Sequence, residues 1–492
     1  MSESKRRSNT GVAFDGDADV DVVVLGVGTC GEDLSLRLLG AGHSVVGIEA
    51  ALVGGECAYW ACLPSKVMIR AANVLQEARR VGDMAGHAEV TPDWSPVAAR
   101  VRTEVTGGWD DSTAVARFEG RGGRLMHGRG RLTGPRTVTV GGESFTARLG
   151  VVIATGSKAA IPPIPGLDEV DYWTTHDVIQ TEELPRSLIV LGGGVVGCEL
   201  GQVLARFGVD VTIVEASDRL LPAEEPEASA AVEAAFAAEG IDVRTGAAAE
   251  QVGSRDGSIV VTLVGGADVA GERLLVATGR TVDLSGLGLE SAGLDGTARF
   301  LQVDERMRAA DSIWAMGDVT GKAMFTHVAL YQSAIVAAGI LGEDYPPARY
   351  DAVPRAIFTD PEVGAVGMTE SEALAAGLDV VVAVKQLPAT FRGWLHASGG
   401  GIVKLIADRE SGVLVGATAA GPHGGEMLGL LTLAVHARLP LAELRSMIYA
   451  FPTFYGAIGE TVGAYGRGLA TVIDPQYQGF AALDTVGAAA KV

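Results

Sequence analysis

Two cysteines, Cys57 and Cys62, stand in the stretch GGECAYWACLPSK, residues 54–66, with four residues between them. Thiols at that spacing could form half of a metal site, sit inert in a core, or close into a disulfide that carries electrons. A zinc site needs two further ligands, and its cysteine pairs are commonly closer in sequence. No Cys or His cluster of matching spacing occurs elsewhere, the eight histidines being scattered at 43, 87, 127, 176, 327, 396, 423 and 436. No metal is therefore expected. Pro64 opens a helical pattern whose apolar face runs Val67, Ala71, Val74, Leu75 and Ala78. Cys62 then falls at a helix N-terminus, where partial positive charge favours a thiolate. Cys30 and Cys198 read as small packing residues.

The elements that must position such a pair are written twice. In VDVVVLGVGTCGEDLSLRLLGAGHSVVGIEA an apolar strand, Val22 to Leu25, leads into Gly26, Gly28 and Gly31, spaced G-x-G-x-x-G. A helix pattern through Leu34, Leu38 and Leu39 follows, then a strand from Ser44 to Ile48 that ends at Glu49. The same order recurs in SLIVLGGGVVGCELGQVLARFGVDVTIVEA, with Gly192, Gly194 and Gly197 after the strand Leu188 to Leu191, and with Glu215 as the terminal acid. The distance from first glycine to acid is 23 residues in both copies. The three glycines serve a tight turn, the approach of a pyrophosphate, and close helix–strand packing. The helix N-terminus offers N–H donors to the phosphates, and the acid can hold a ribose diol. Two such sites imply two dinucleotides, usually a flavin and a nicotinamide. Glu215 would repel a 2′-phosphate, so NADH is favoured over NADPH.

A chain of 492 residues exceeds one hydrophobic core, and about three domains are expected. With 39 basic and 60 acidic side chains the net charge is −21, a field that repels phosphate backbones and anionic lipids. Nucleic-acid and membrane-surface binding are thus not expected. No apolar run reaches the length of a membrane span. The first 19 residues are polar and lack an apolar signal core, so a disordered tail and a cytoplasmic setting are expected. Four cysteines make no secreted disulfide framework, and a disulfide in a reducing compartment is more often catalytic than structural.

Ordered along the chain are the first G-x-G-x-x-G, Cys-x4-Cys-x-Pro-Ser-Lys, VVIATGSKAAIPPIPG, the second G-x-G-x-x-G, LLVATGR, SIWAMGDVTG and VPRAIFTDPEVGAVGMTE. With them the chain resembles the class I pyridine nucleotide–disulfide oxidoreductases, which include dihydrolipoamide dehydrogenase, glutathione reductase and mercuric reductase. The resemblance implies an α/β fold of two Rossmann-like dinucleotide-binding domains and a C-terminal α+β dimerisation domain. It implies an FAD-binding domain from 20–157 and 281–348, an NAD-binding domain at 158–280, an interface domain at 349–470 and a tail at 471–492. Thr155-Gly156 and Thr278-Gly279 look like the crossings between the FAD and NAD domains. Gly317 and Asp318 match the second flavin motif, where the aspartate bonds the ribityl chain. By this resemblance FAD is held by Gly26, Gly28, Gly31, Glu49, Thr155, Gly156, Gly317 and Asp318, and NAD by Gly192, Gly194, Gly197, Glu215 and Gly279. Cys57 and Cys62 become a redox disulfide, with Cys62 nearer the flavin and Cys57 the interchange thiol. Lys66 matches the lysine beside flavin N5 and Glu199 its ion-pair partner. His327 is expected only as a structural neighbour of the flavin.

One segment departs from the family pattern. Thiol-directed members carry a His-Pro pair near the C-terminus, with a glutamate five residues later. Here the sequence is IYAFPTFYGAIGE, with Phe451 in the histidine's place and Gly456 in the glutamate's. A positioned acid–base is worth roughly 10²–10⁴-fold, so disulfide exchange is expected to be slow unless Tyr455 or Glu460 substitutes. Mercuric reductases share the Phe-Pro but add a C-terminal Cys pair, and this chain has no cysteine after Cys198. Some quinone reductases on this scaffold carry Pro-x-x-x-Gly-x-Ile-x-Glu, matched by Pro452, Gly456, Ile458 and Glu460. Tyr59 and Trp60, between the cysteines, could flank a flat acceptor or fill the space beside Phe451. The expectation is a homodimeric FAD-dependent NADH oxidoreductase acting on a small, quinone-like electron acceptor. The alternatives are a dihydrolipoamide dehydrogenase or other dithiol/disulfide reductase (mercuric reductase-like included) with a replacement proton donor, and a low-turnover flavin-bearing redox sensor or partner subunit.

Overall fold

The computed structural model describes residues 18–397 and 399–465. The expected tails, 1–19 and 471–492, lie outside these residues except for Ala18 and Asp19, which open the first strand. Two compact units divide the chain. One takes the described residues of Met1–Ser65, Ala99–Ala159 and Arg280–Arg349; the other takes those of Lys66–Ala98, Ala160–Gly279 and Tyr350–Val492.

The first unit is built on β1 (Ala18–Leu25), which pairs in parallel with β2 (Val45–Glu49) on one side and with Glu143–Ile153 on the other. Arg124–His127 extends the sheet beyond β2, and Ile313–Ala315 extends it beyond Glu143–Ile153. Val22, Val23, Val24 and Leu25 form an uninterrupted apolar run because both faces of a parallel strand are covered. On one face α1 (Thr29–Gly40) buries Leu34 and Leu38 with Val22, Val24 and residues Ile335–Ala337 of the helix Thr326–Leu341. Each of those leucines contributes about 1.5–3 kcal/mol by leaving water. The other face carries Val23, Leu25 and Ile153 against Leu132 and Phe145. After β2 come α2 (Gly55–Tyr59) and α3 (Cys62–Arg79), so both cysteines follow directly from the first βαβ turn.

The second unit repeats the motif in a four-stranded parallel sheet, ordered Asp242–Arg244, Asp210–Val214, Ser187–Leu191, Arg273–Val276. The helix Val195–Arg206 follows the strand Ser187–Leu191, as α1 follows β1. Its C-terminal part is a five-stranded antiparallel sheet, ordered Pro354–Ile357, Glu362–Gly367, Leu414–Gly421, Ile402–Asp408, Val380–Gln386. The helix Gly424–His436 packs Met427, Leu428 and Leu431 into the same core as Val366, Leu405 and Ala417. Lys404, inside that sheet, is buried with its ammonium 2.8 Å from carboxylates of Glu225, Glu227 and Glu370. Burial alone would lower its pKa; the hydrogen bonds to the three glutamates reverse this and raise it. Among the described residues no helix is long and apolar enough to cross a membrane.

Candidate redox centre and dinucleotide-binding loops

The two glycine turns have the same geometry. Gly26 and Gly192 adopt φ of 92° and 110°, and a Cβ on either would meet a carbonyl oxygen, of Ala154 at 2.3 Å or Ala277 at 2.5 Å. A Cβ on Gly31 or Gly197 would lie 2.0 or 1.9 Å from the oxygen of Gly26 or Gly192. The middle glycines differ. A Cβ on Gly28 would meet only the Cα of Gly55, at 3.7 Å, and one on Gly194 would meet nothing within 4 Å. Gly28 and Gly194 also cap their helices without any side-chain hydrogen bond. Open space beside uncapped helix amides suits a pyrophosphate, so the residues present fit a dinucleotide at each turn.

The terminal acids do something the sequence did not announce. Glu49 accepts the N–H of Val27 on Oε2, at 2.7 Å, and that of Ala51 on Oε1, at 2.8 Å. Glu215 accepts from Gly193 at 2.6 Å and Ser217 at 2.7 Å. Each carboxylate ties its own glycine turn to the end of the second strand. Burial raises the pKa of Glu49, against the lowering effect of those backbone donors.

Cys57 lies in α2 and Cys62 begins α3, with Trp60 and Ala61 as the connection. Both are free thiols, half-buried and in hydrogen-bond contact with each other. That contact and burial push the Cys57 thiol well above its ordinary pKa, while Thr326 and Thr29 pull weakly the other way. Thr326 Oγ1 is 3.3 Å from Cys62 Sγ. Cys30 and Cys198 are buried, and burial pushes the Cys30 thiol up to about 12. Cys198 donates to the Gly193 carbonyl at 3.2 Å. Neither thiol approaches a partner cysteine, in keeping with packing residues.

Beside the pair runs a polar chain that sequence reasoning missed. Arg280 donates to Ser157 Oγ at 2.7 Å and to Glu56 at 3.1 Å. Ser157 in turn donates to Asp318. Glu56 adjoins Cys57, so the chain links the cysteine segment to the expected flavin aspartate. Arg280 closes the motif LLVATGR, and that last letter was the available signal. Gly317, at φ 78°, donates its N–H to Gln332 at 2.7 Å. Gly156 and Gly279 take φ of 68° and 112° with free space where a Cβ would be, and Thr155 is exposed. His327 stacks on Phe325, with ring centroids 5.2 Å apart.

In the second unit Lys66 Nζ is 2.7 Å from Glu199 Oε2 and 4.8 Å from the centre of the Phe358 ring. Glu199, 5% exposed, also accepts the Phe358 N–H at 2.8 Å. The pair expected from sequence is thus formed. The segment that lacks His and Glu carries no ready replacement. Phe451, 70% exposed, packs edge-on to Phe391 with centroids 4.8 Å apart. Tyr455 accepts the Ala450 N–H at 2.8 Å, and Glu460 lies 3.8 Å from Lys385. Of the two aromatics between the cysteines, Tyr59 is buried, whereas Trp60 stacks on Trp109 at 5.7 Å and 23°. Among the described residues no cluster of three or more His, Cys, Asp or Glu could hold a metal.

The sequence model of the family described as pyridine nucleotide-disulphide oxidoreductase matches residues 20–333. The chain belongs to this family. The family's dimerisation domain matches residues 353–462. A mercuric reductase of Bacillus cereus is 31% identical, over 92% of this chain and 72% of its own length. A dihydrolipoyl dehydrogenase of Haloferax volcanii is 33% identical, over 92% and 98%. Among solved structures, the Cu(II) complex of the HOCl-induced flavoprotein disulfide reductase RclA from Escherichia coli superimposes with a TM-score of 0.81, at 27% identity, over 91% of this chain and 99% of that one.

Membership makes the protein an FAD-dependent pyridine nucleotide–disulfide oxidoreductase, binding FAD and NAD(P)H, with the α/β fold and dimerisation domain expected. The relatives act on different acceptors, so the family gives the electron donor side and leaves the acceptor side to this chain's own residues.

Proposed function

We propose that this oxidoreductase, which carries a redox-active Cys57–Cys62 pair, passes electrons from NADH through FAD to a small quinone-like acceptor. Gly26, Gly28, Gly31, Glu49, Thr155, Gly156, Gly317 and Asp318 hold FAD, which when bound accepts a hydride equivalent and yields two electrons. Gly192, Gly194, Gly197, Glu215 and Gly279 hold the nicotinamide dinucleotide, and the Glu215 carboxylate disfavours a 2′-phosphate, hence NADH. Glu199 fixes the Lys66 ammonium through their ion pair. Thr326 orients the Cys62 sulfur, and the Arg280–Ser157 chain orients Asp318.

The observation that carries the acceptor assignment is the segment at Phe451. Disulfide exchange needs a group that moves a proton at the Cys57 sulfur, and the pKa of that thiol is raised. Phe451 cannot do this, Gly456 cannot orient a base, and Tyr455 and Glu460 are engaged locally. A quinone takes its protons from water and needs no such base. The net reaction is NADH plus a proton plus quinone giving NAD⁺ and hydroquinone. The exposed apolar side chains at Phe451 and Ile448 support a homodimer through the dimerisation domain.

A second reading, dithiol/disulfide reductase, draws support from the direct contact between the two thiols. Steady-state NADH oxidation with a naphthoquinone, lipoamide and glutathione disulfide separates the two. The quinone should turn over at least about tenfold faster, since a missing acid–base costs roughly 10²–10⁴-fold. Lipoamide turnover as fast as quinone turnover would overturn the acceptor assignment. Cys57→Ser tests the thiol pair: loss of all activities makes it obligatory, and unchanged quinone reduction makes it auxiliary.

A further inference from the structure

Both backbone groups of Gly193, inside the second glycine turn, are taken by Glu215 and the loop that follows it. Glu215 accepts the Gly193 N–H at 2.6 Å, and the Gly193 carbonyl accepts the N–H of Leu221 at 2.9 Å. The Leu220 side chain closes on the same residue: a Cβ on Gly193 would lie 2.5 Å from its Cδ2. Leu220 and Leu221 are buried. Leu221 takes φ 49°, a left-handed conformation that is unfavourable for a bulky side chain and persists only where its surroundings impose it.

The restraint lies three residues on. The Glu224 N–H returns to the Leu221 carbonyl at 2.9 Å. The buried Glu224 carboxylate takes a two-pronged pair from Arg355, Nε to Oε1 at 2.8 Å and Nη2 to Oε2 at 3.0 Å. Glu225, also buried, lies 2.8 Å from Lys404 Nζ and accepts the Glu370 N–H at 2.6 Å. Arg355 stands on the strand Pro354–Ile357 and Lys404 on Ile402–Asp408, both in the five-stranded C-terminal sheet. Arg355 is fixed in turn by the Gly367 carbonyl, 3.2 Å from its Nη1. The loop from Leu220 to Glu225 is thus a brace, with Gly193 at one end and two cations of the sheet at the other. Apolar packing would stabilise as well as buried ions do. A bidentate guanidinium–carboxylate pair adds a fixed geometry.

Resting on the proposed placement of the nicotinamide dinucleotide at Gly192–Gly197, we propose that Arg355 and Glu224 are positioning residues for NADH: through the Leu220–Glu225 brace, the C-terminal sheet keeps the phosphate-binding turn formed. Neither residue is required to touch the dinucleotide. A freed brace leaves the turn formed only part of the time, and apparent affinity falls by that fraction. Saturating NADH re-forms the turn, so kcat is kept.

The test uses the full-length, FAD-loaded protein. KM for NADH is measured at saturating 2-methyl-1,4-naphthoquinone, and Kd for NAD⁺ by calorimetric titration of the oxidised protein, which needs no acceptor. Arg355→Gln and Glu224→Gln should each raise both constants about tenfold, the effect of one charge-assisted contact. Values of kcat should stay within about twofold, with FAD content and KM for the quinone unmoved. The double variant should lose no more than either single one, because the two side chains act as one contact. Unchanged KM and Kd in both single variants would overturn the brace even if their unfolding temperatures fall, since a merely structural pair gives that result. Additive losses of about a hundredfold in the double variant would overturn it too. Should Arg355→Gln fail to fold, Arg355→Lys decides, since it keeps the charge and loses the second prong. A rise in Kd of about threefold supports the brace, and an unchanged Kd overturns it. Gly194→Ala separates the brace from the reading beneath it. A raised KM for NADH there, beside wild-type values in the Arg355 and Glu224 variants, overturns the brace alone. An unchanged KM there refutes the placement of the dinucleotide, and the brace's role falls with it.

Discussion

A methyl group added at Gly194 would touch nothing, whereas one added at Gly197 would lie 1.9 Å from the Gly192 oxygen. The two glycines of one motif therefore do separable things. Gly197→Ala should destabilise the fold by about 1–3 kcal/mol through overpacking, read as a fall in urea midpoint. Gly194→Ala should leave that midpoint in place and raise KM for NADH, because the space that a methyl group would take is the one proposed for the dinucleotide. Cys57 offers a second residue-scale prediction. Its pKa is raised, so the thiol is the favoured form until the pH passes well above the value of a free cysteine. Iodoacetamide labelling of Cys57 in the reduced protein should therefore be slow at pH 7 and accelerate only at strongly alkaline pH. Labelling of Cys57 at pH 7 at the rate of a free thiol would contradict this. The cysteines, the glycines and the Lys66–Glu199 pair could all be found in the sequence, because each stands in a fixed motif. Trp109 could not: its partner is 49 positions away, and nothing in a loop's composition announces a tryptophan at positive φ.

Elements were legible where periodicity and glycine spacing agree, as in β1, α1 and β2 and their copy at Ser187–Val214. The C-terminal sheet was legible only by resemblance. Its central strands are buried on both faces and show no alternation to read. Lys404 is the clearest case, a charged residue on Ile402–Asp408 that a sequence reading would place in water. The sheet instead buries it because Glu225, Glu227 and Glu370 converge on its ammonium. Removing the cation would leave buried Glu225 without its counter-charge. Lys404→Met should cost about 3–5 kcal/mol, seen as a lowered unfolding temperature, with Glu225→Gln milder because the other two glutamates remain. A Lys404→Met protein as stable as wild type would mean that the triad contributes nothing net.

At the scale of the whole molecule two surfaces matter. Ile448, Phe451, Trp394 and Leu395 are large apolar side chains, 95%, 70%, 46% and 46% exposed in the single chain. Large apolar side chains left this exposed, within the segment that matches the family's dimerisation domain, mark an interface. Ile448→Asp should convert a dimer to monomers, measured by light scattering after gel filtration, with FAD retained because its loops lie elsewhere in the chain. A wild-type protein that is already monomeric would refute the assignment of that surface. The other surface is electrostatic. With a net charge of −21, kcat/KM for an anionic acceptor should rise with ionic strength as repulsion is screened, and that for a neutral quinone should stay nearly flat.

The carboxylates that latch the two glycine turns bear on how the enzyme could change coenzyme. Glu215 spends one oxygen on the Gly193 N–H and the other on that of Ser217. Replacing it with a cation to welcome a 2′-phosphate would also unlatch the turn proposed to cradle the pyrophosphate. A switch to NADPH by one substitution is therefore a path through a damaged intermediate. An evolving or engineered lineage would first need another acceptor for those two N–H groups, because even Glu215→Gln keeps only one oxygen and turns an amide NH₂ toward the other donor.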